Sequence, residues 1–430
     1  MAMVGISLST FSISLQAQGK QQHYYVFNLG DPGGGNVAAA ASLNNSGWIA
    51  GDSFESGNTS EHAFVWVGTP IDLGTLGGAN STIGWPNKNN HGQLAGIAET
   101  ADMNPLNEQW SCAGASFAFV TGHICLGFIW QDGVMTALSP LAGGIDSYAA
   151  GINNNGQVVG WAENGIHDPT CNDTPPANQV LQFEAVVWGP KLGEITQLSP
   201  LSPDPDSAAT AINDKGQIVG ISGLCDNAVG ATSAEHAVLW ENQFATPINL
   251  GNFDGGLAWN TPTALNNRSQ VVGFGNQKGS SASEFNPIAF YWDQQHGIRS
   301  INPLDGDTNN LAWGINSQGL IVGQSYNANT GAARAFIFAG GQATDMNTLI
   351  QPNSSLQLQL ANDANDAGEI VGFAVDTNTN TTVAFLAVPV SENGAPASYA
   401  GNNSSRGSAR AVSPGAGSFN RFALKGKTAN

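Results

Sequence analysis

The sequence predicts an all-β protein: a seven-bladed β-propeller, four antiparallel strands per blade, with an N-terminal strand completing the last blade. Three observations carry this. A nine-residue hairpin motif occurs seven times. A second strand motif follows it in fixed order. One strand is missing from the last copy and present ahead of the first. Composition agrees: Gly is abundant at 54 residues and only 10% of residues are charged, which suits many tight turns and few charged helix faces.

The hairpin motif is clearest in Ile152-Asn153-Asn154-Asn155-Gly156-Gln157-Val158-Val159-Gly160. An apolar strand arrives, Asn bonds its own backbone, Gly accepts the positive φ of a short loop, and a second apolar strand leaves. The other copies are residues 43–51, 88–96, 212–220, 265–273, 315–323 and 364–372; the fifth has Ser269 where the others have the turn Gly. The steps between copies run from 45 to 64 residues, a strand-rich period that matches propeller repeats.

Each copy reads as four strands. Strand A (148–152) is rich in small residues and ends at the Asn turn, and strand B (157–161) leaves it. Strand C follows a variable loop, as in His62-Ala63-Phe64-Val65-Trp66, and puts Phe64 and Trp66 on one side and Ala63 and Val65 on the other. Both faces are then apolar, as stacking between neighbouring blades requires, and the tryptophans are read as packing residues. Strand D (71–76) ends in Gly77-Gly78. The seventh copy ends at 388–390 with no strand D; residues 24–29 supply it, followed by the matching Gly30-Asp31-Pro32-Gly33-Gly34. A ring that pairs its first strand with its last three closes its own seam.

The combination of His-Ala-Phe-x-Trp, Leu-Gly-x-Leu-Gly-Gly and Ile-Asn-x-x-Gly-x-Val-Val-Gly resembles the bacterial extracellular repeats named for their His-Ala-Phe signature. The signature is clearest at His62-Ala63-Phe64 and, with Val for Phe, at His236-Ala237-Val238. The resemblance covers roughly residues 24–390 and implies a secreted or surface β-rich protein with no assigned reaction. Several copies lack the His, so it is not expected to belong to a shared active site.

The net charge is −19, and only Lys88, Lys191, Lys215, Arg268, Lys278, Arg299 and Arg334 are basic between His23 and Val390. So acidic a surface repels phosphate backbones and excludes nucleic acid as a partner. No apolar run is long enough to span a bilayer. Residues 1–17 read as the remnant of a secretory signal, with a mildly apolar core and Leu15-Gln16-Ala17 as a cleavage site; no positive n-region precedes it, and a disordered N-terminus is the alternative. Residues 391–430 lose the periodicity and read as a disordered polar tail, too poor in apolar side chains to offset its ordering entropy.

Function is expected where the repeats differ. The A–B turns are short and uniform, whereas the B–C loops of copies two, three and four run to about 27, 20 and 12 residues and, being adjacent in the ring, should form one raised rim. All four cysteines lie there: Cys112 and Cys125 in the second loop, Cys171 in the third, Cys225 in the fourth. Three pairings exist; Cys112–Cys125 is favoured because it closes a local hairpin, and Cys171 and Cys225, one repeat apart, could join neighbouring loops. A Cys/His metal site with His123 or His167 is the alternative, against which no Cys-x-x-Cys occurs.

Trp110, His123, His167, Asp168 and Asp226 are the candidate ligand residues, since exposed aromatics beside carboxylates suit carbohydrate; Trp110 packed under its own loop is the competing reading. Asp204 with Asp206, or Asp305 with Asp307, could ligate Ca²⁺ by oxygen; no other cofactor is expected. Phosphate loops, nucleophile elbows and paired metal histidines are absent from the sequence. The expectation is a monomeric, secreted or surface binding propeller for a glycan or a protein. The alternatives are a polysaccharide hydrolase or lyase using carboxylates on the same face, and a structural surface protein.

Overall fold

Every described strand belongs to a four-stranded antiparallel unit. The structure, a computed structural model, describes residues 22–390 except 110, 113–116, 120, 172–177, 226–234, 253–259, 278–279 and 281–284. The segments 1–17 and 391–430, and the candidates Trp110 and Asp226, lie outside the described residues.

Unit three shows the pattern: strands Ser147–Ile152, Val158–His167, Leu181–Trp188 and Ile195–Gln197 pair in the order A-B-C-D. Units two, four, five and six form four-stranded sheets of the same kind. Units one and seven share an eight-stranded sheet, joined by a single parallel bridge from Val37 to Thr382. Unit seven takes Leu356–Ala364, Ile370–Asp376 and Thr381–Pro389, and its fourth strand is Tyr24–Gly30. Val26 lies opposite Ala387 and Asn28 opposite Phe385, so the strand missing from the last copy is supplied from the front of the chain. Gln351 clamps it: the Val26 N–H donates to Gln351 Oε1 at 2.8 Å, and Gln351 Nε2 donates to Val26 O at 3.0 Å.

The hairpin motif has two physical causes. Asn153 Oδ1 accepts the N–H groups of Asn155 and Gln157, both at 3.0 Å, while Gly156 turns the chain at φ +75°. Ser269 adopts the same left-handed turn at φ +60°, so the fifth copy folds alike at a conformational cost. The closing glycine answers a bulge: strand A of unit three shifts register between Ala149 and Gly151, and a Cβ on Gly160 would stand 1.8 Å from Tyr148 O. The closing glycines of the other six copies meet strand-A carbonyls at 1.9–2.3 Å in the same way.

The turns are stitched into a cycle. Asn44 Nδ2 donates to Asn89 O, Asn89 to Asn153 O, Asn153 to Asn213 O, Asn213 to Asn266 O, Asn266 to Asn316 O, and Asn316 to Asn365 O, at 2.8–3.1 Å. Asn365 Nδ2 then donates to Asn44 O at 3.3 Å, returning to the start. Between successive units lie seven apolar clusters. The one joining units seven and one packs Val371, Ala384 and Leu386 against Ala38, Leu43 and Phe64. Alternation in strand C fills two clusters at once, since Ala63 and Val65 face unit two while Phe64 and Trp66 face unit seven. The strand-C tryptophans are buried as packing residues, and Trp188 and Trp240 donate their indole N–H to Ser139 O and Ser199 O, both at 2.9 Å.

Two boundaries differ from the expectation. Strand D is short: in unit one it is Pro70–Asp72, exposed along its length, and Asp72 Oδ1 takes the Gly74 N–H at 2.7 Å to turn the chain away. Strand B of units two and three runs on as Gln93–Met103 and Val158–His167, so their long loops begin as extended hairpins.

Candidate functional site

The two ends of the molecule are built differently. At the asparagine end a polar funnel of about 60 Å³ opens in the middle of the cycle, lined by Asn44, Asn90, Asn154, Asp214 and Asp366 among others. The inner amides are spent on the cycle itself. A second set of side chains sits outside them, with Asn90 N donating to Asn154 Oδ1 at 2.7 Å and Asn154 N to Asp214 Oδ1 at 2.9 Å. Burial pushes the Asp366 carboxyl up, but bonds from Ser317 and Asn45 outweigh it and hold the group below its usual range.

Lys88 also lines this funnel and departs from the repeat, standing where the other copies carry Leu43, Ile152, Ile212, Leu265, Ile315 and Ala364. Its ammonium reaches past unit one to unit seven, where it pairs with the buried Asp363 and donates to Ala364 O at 3.0 Å. Asp363 Oδ2 accepts the Leu43 N–H at 2.9 Å, so one carboxylate ties units seven, one and two. With Asp214, Asp363 and Asp366 against Lys88, the funnel disfavours anions and admits neutral or cationic groups. Beside it lies a shallow depression lined by Asn155, Lys215, Gln243 and Phe244; the Phe244 ring is 81% exposed, and Gln157 Nε2 donates to Gln243 Oε1 at 3.1 Å.

Toward the opposite end, where the long B–C loops lie, an apolar cluster fills the centre. In it Trp85 of unit two and Trp313 of unit six meet edge to face at 6.0 Å, and Phe274 packs on Trp313 at 5.9 Å. Phe117, from the loop between Cys112 and Cys125, joins this cluster. Both disulfides read from the cysteine spacing are present: Cys112–Cys125 with Cα atoms 5.8 Å apart, and Cys171–Cys225 with Cα atoms 4.8 Å apart. The second ties the loop of unit three to that of unit four.

Of the loop-end candidates, His167 is exposed, and His123 is half-buried with Nδ1 2.9 Å from Thr121 Oγ1. Asp168 is buried and accepts both the N–H and the hydroxyl of Thr170 at 2.7 Å, a bracing role within its own turn. Its neighbour Asp206 is also buried; desolvation first and the Asp168 carboxylate second push it up to about 9, so it holds a proton at neutral pH. Burial likewise lifts Glu184 to about 7. Asp204 is engaged by His236 at 2.8 Å and Asp307 by Arg334 at 2.8 Å, with Arg334 also reaching Asp345 at 3.1 Å. The signature His is therefore a structural pin: His62 Nδ1 lies 3.0 Å from Asp72 Oδ2, and that bond raises the imidazole pKa.

The sequence shows the asparagines only as turn formers, so the funnel they build together is not visible in it. The signal that could have found it is Lys88, the one charge at a position otherwise apolar in every copy.

No protein-family model and no curated protein matches the chain. Among solved structures, it is similar to the acylaminoacyl peptidase of Pyrococcus horikoshii (TM-score 0.45, 11% identity, 83% of this chain and 52% of that one). It is also similar to the β-propeller domain of the Trilobed protease of Pyrococcus furiosus (0.42, 11%, 72% and 81%) and to the oligogalacturonate lyase of Vibrio parahaemolyticus (0.44, 9%, 87% and 98%). The chain spans about half the length of the peptidase. Among the described residues no helix is long and apolar enough to cross a membrane.

Proposed function

We propose that the chain is a secreted or surface seven-bladed β-propeller serving as a binding module for a neutral, polyhydroxylated ligand, a glycan in the first instance. The cycle of asparagine bonds and the donated strand Tyr24–Gly30 support the closed sevenfold ring. Two disulfides suit an oxidising compartment. The reading moves the ligand face from the long-loop end to the asparagine end. One observation carries that move: the asparagine end holds an open polar funnel, while an apolar cluster running from Trp85 and Trp313 to Phe117 and the loop cysteines fills the centre toward the other end. The exposed Phe244 ring beside Asn242, Gln243 and Lys215 offers the stacking surface and donors that a sugar ring uses.

The enzyme reading would need an accessible pair of carboxylates with separated pKa values. Asp206 and Glu184 have raised values, but both side chains are buried, out of reach of a polysaccharide. A glycan array decides. Binding is expected without new reducing or unsaturated ends, and Phe244→Ala should weaken it about tenfold, the loss of roughly 1–1.5 kcal/mol of ring stacking. Product formation, or binding unchanged in Phe244→Ala and lost on altering the His167 loop, would return the site to the other end.

A further inference from the structure

Three carboxylates meet under the long loops of units two and three, apart from the funnel. Glu108 comes from the unit-two loop, Asp146 precedes strand A of unit three, and Glu163 lies on its strand B. All are 0–1% exposed, and one oxygen of each lies within 4.8 Å of the others. Buried charge on this scale needs a counter-charge. None is supplied locally: the sequence has no Lys or Arg between Lys88 and Lys191. Among the described residues no ion pair includes any of the three.

A second observation comes from a neutral side chain. The Gln179 amide, 3% exposed, sits between two of the carboxylates, with Nε2 donating to Glu163 Oε1 at 2.8 Å and to Glu108 Oε1 at 3.4 Å. Its Oε1 is buried with no hydrogen-bond partner, and so are Glu108 Oε2 and Asn178 Oδ1. Orphaned buried oxygens are costly, and the one on Glu108, a member of the cluster itself, marks a place that lacks a positive centre.

We propose that Glu108, Asp146 and Glu163 form a Ca²⁺ site that locks the long loops of units two and three together. The donors are all hard oxygens, which favour Ca²⁺ or Mg²⁺ over softer metals. Three oxygens within 4.8 Å of one another can close on an ion whose ligands stand about 2.3–2.6 Å away, the range of Ca²⁺. The carboxylates are held in place beforehand: Glu108 Oε1 takes the N–H groups of Val180 and Leu181, Glu163 Oε2 those of Ile145 and Asp146, and Asp146 Oδ1 that of Cys125. The lone pairs open to a metal lie on the remaining oxygens: Glu108 Oε2 has no hydrogen-bond partner, Glu163 Oε1 accepts from Gln179, and Asp146 Oδ1 and Oδ2 accept one bond each, from Cys125 and Asn104. The Cys125 bond sets the site directly against the Cys112–Cys125 disulfide, so ion and disulfide brace one structure.

The test uses the full chain stripped with EDTA and titrated with CaCl₂ by calorimetry, with MgCl₂ as comparison. One Ca²⁺ per chain is expected, with Tm rising by roughly 3–8 °C at a hundredfold excess over Kd. Glu108→Gln and Glu163→Gln should each lower affinity at least about tenfold by removing ligand charge, while Asp307→Asn leaves it unchanged. Absence of heat and of a Tm shift in the native chain overturns the site, as does binding that survives both Gln variants. Should those variants fail to fold, anomalous diffraction from Tb³⁺ bound to the native chain locates the ion, and density away from Glu108, Asp146 and Glu163 overturns it.

Discussion

The asparagine end and the long-loop end satisfy buried polar groups by opposite means. At the first, seven near-identical turns hand one neutral amide bond to the next, and the cycle is complete without a charge. At the second, the repeat lapses: Glu99, Glu108, Asp146, Glu163, Glu184 and Asp206 are buried, and two disulfides hold the loops. Glu99 and Glu163 play one role there, each accepting two N–H groups from the chain entering its unit. The difference teaches that the repeated residues encode the cycle of turn bonds, while the individual properties of the molecule are written where the copies diverge.

The comparison breaks most visibly at the disulfides. Replacing Cys171 and Cys225 by Ser should cost about 2–4 kcal/mol in denaturant unfolding, with faster amide exchange confined to the loop end. Loss of protection at the asparagine turns as well would show that the ends are not independent. A smaller effect is expected of Asn153→Ala, which removes the side-chain donor to Asn213 O and leaves the Asn155 and Gln157 N–H groups without their side-chain acceptor. The cost should be about 2–3 kcal/mol, and under about 0.5 kcal/mol would mean the cycle tolerates a gap.

The smallest step separates the ends by pH. Asp206 is raised in the folded state, so between about pH 4 and its folded value near 9 the folded chain binds a proton that the unfolded chain has released. Stability therefore falls as pH rises through this window. The slope for one proton is at most about 1.4 kcal/mol per pH unit. Asp168 and Glu184 are the acids facing it, and Asp206→Asn keeps a donor toward Asp168 while removing the proton. Equal slopes from pH 5 to 8 in the native chain and in this variant would discard the assignment; a flatter variant supports it.

What was legible in the sequence was whatever recurred or was local. The Asn turns, the strand-C alternation and the strand lent from residues 24–29 depend on spacing alone, and Cys112 and Cys125 are near neighbours in the chain. Glu108, Asp146, Glu163 and Gln179 come from four separate places in the chain, and only folding brings them together. Asp168 looked like a surface carboxylate because sequence cannot tell a loop that projects from one that folds inward. The need for a closing glycine is not legible locally, because the carbonyl that excludes a Cβ belongs to a bulge on the neighbouring strand.

The pairing of Tyr24–Gly30 with Thr381–Pro389 has a consequence for biosynthesis. The strand translated early can find its mate only after some 350 further residues have left the ribosome, as the 325-residue separation of Val26 from its Gln351 clamp already indicates. Until then an apolar ribbon stays without its edge partner, and a nascent chain shares the compartment with others carrying the same unclaimed ribbon. Exchange of that segment between two molecules is the misassembly this design invites, and dilution during refolding is what suppresses it.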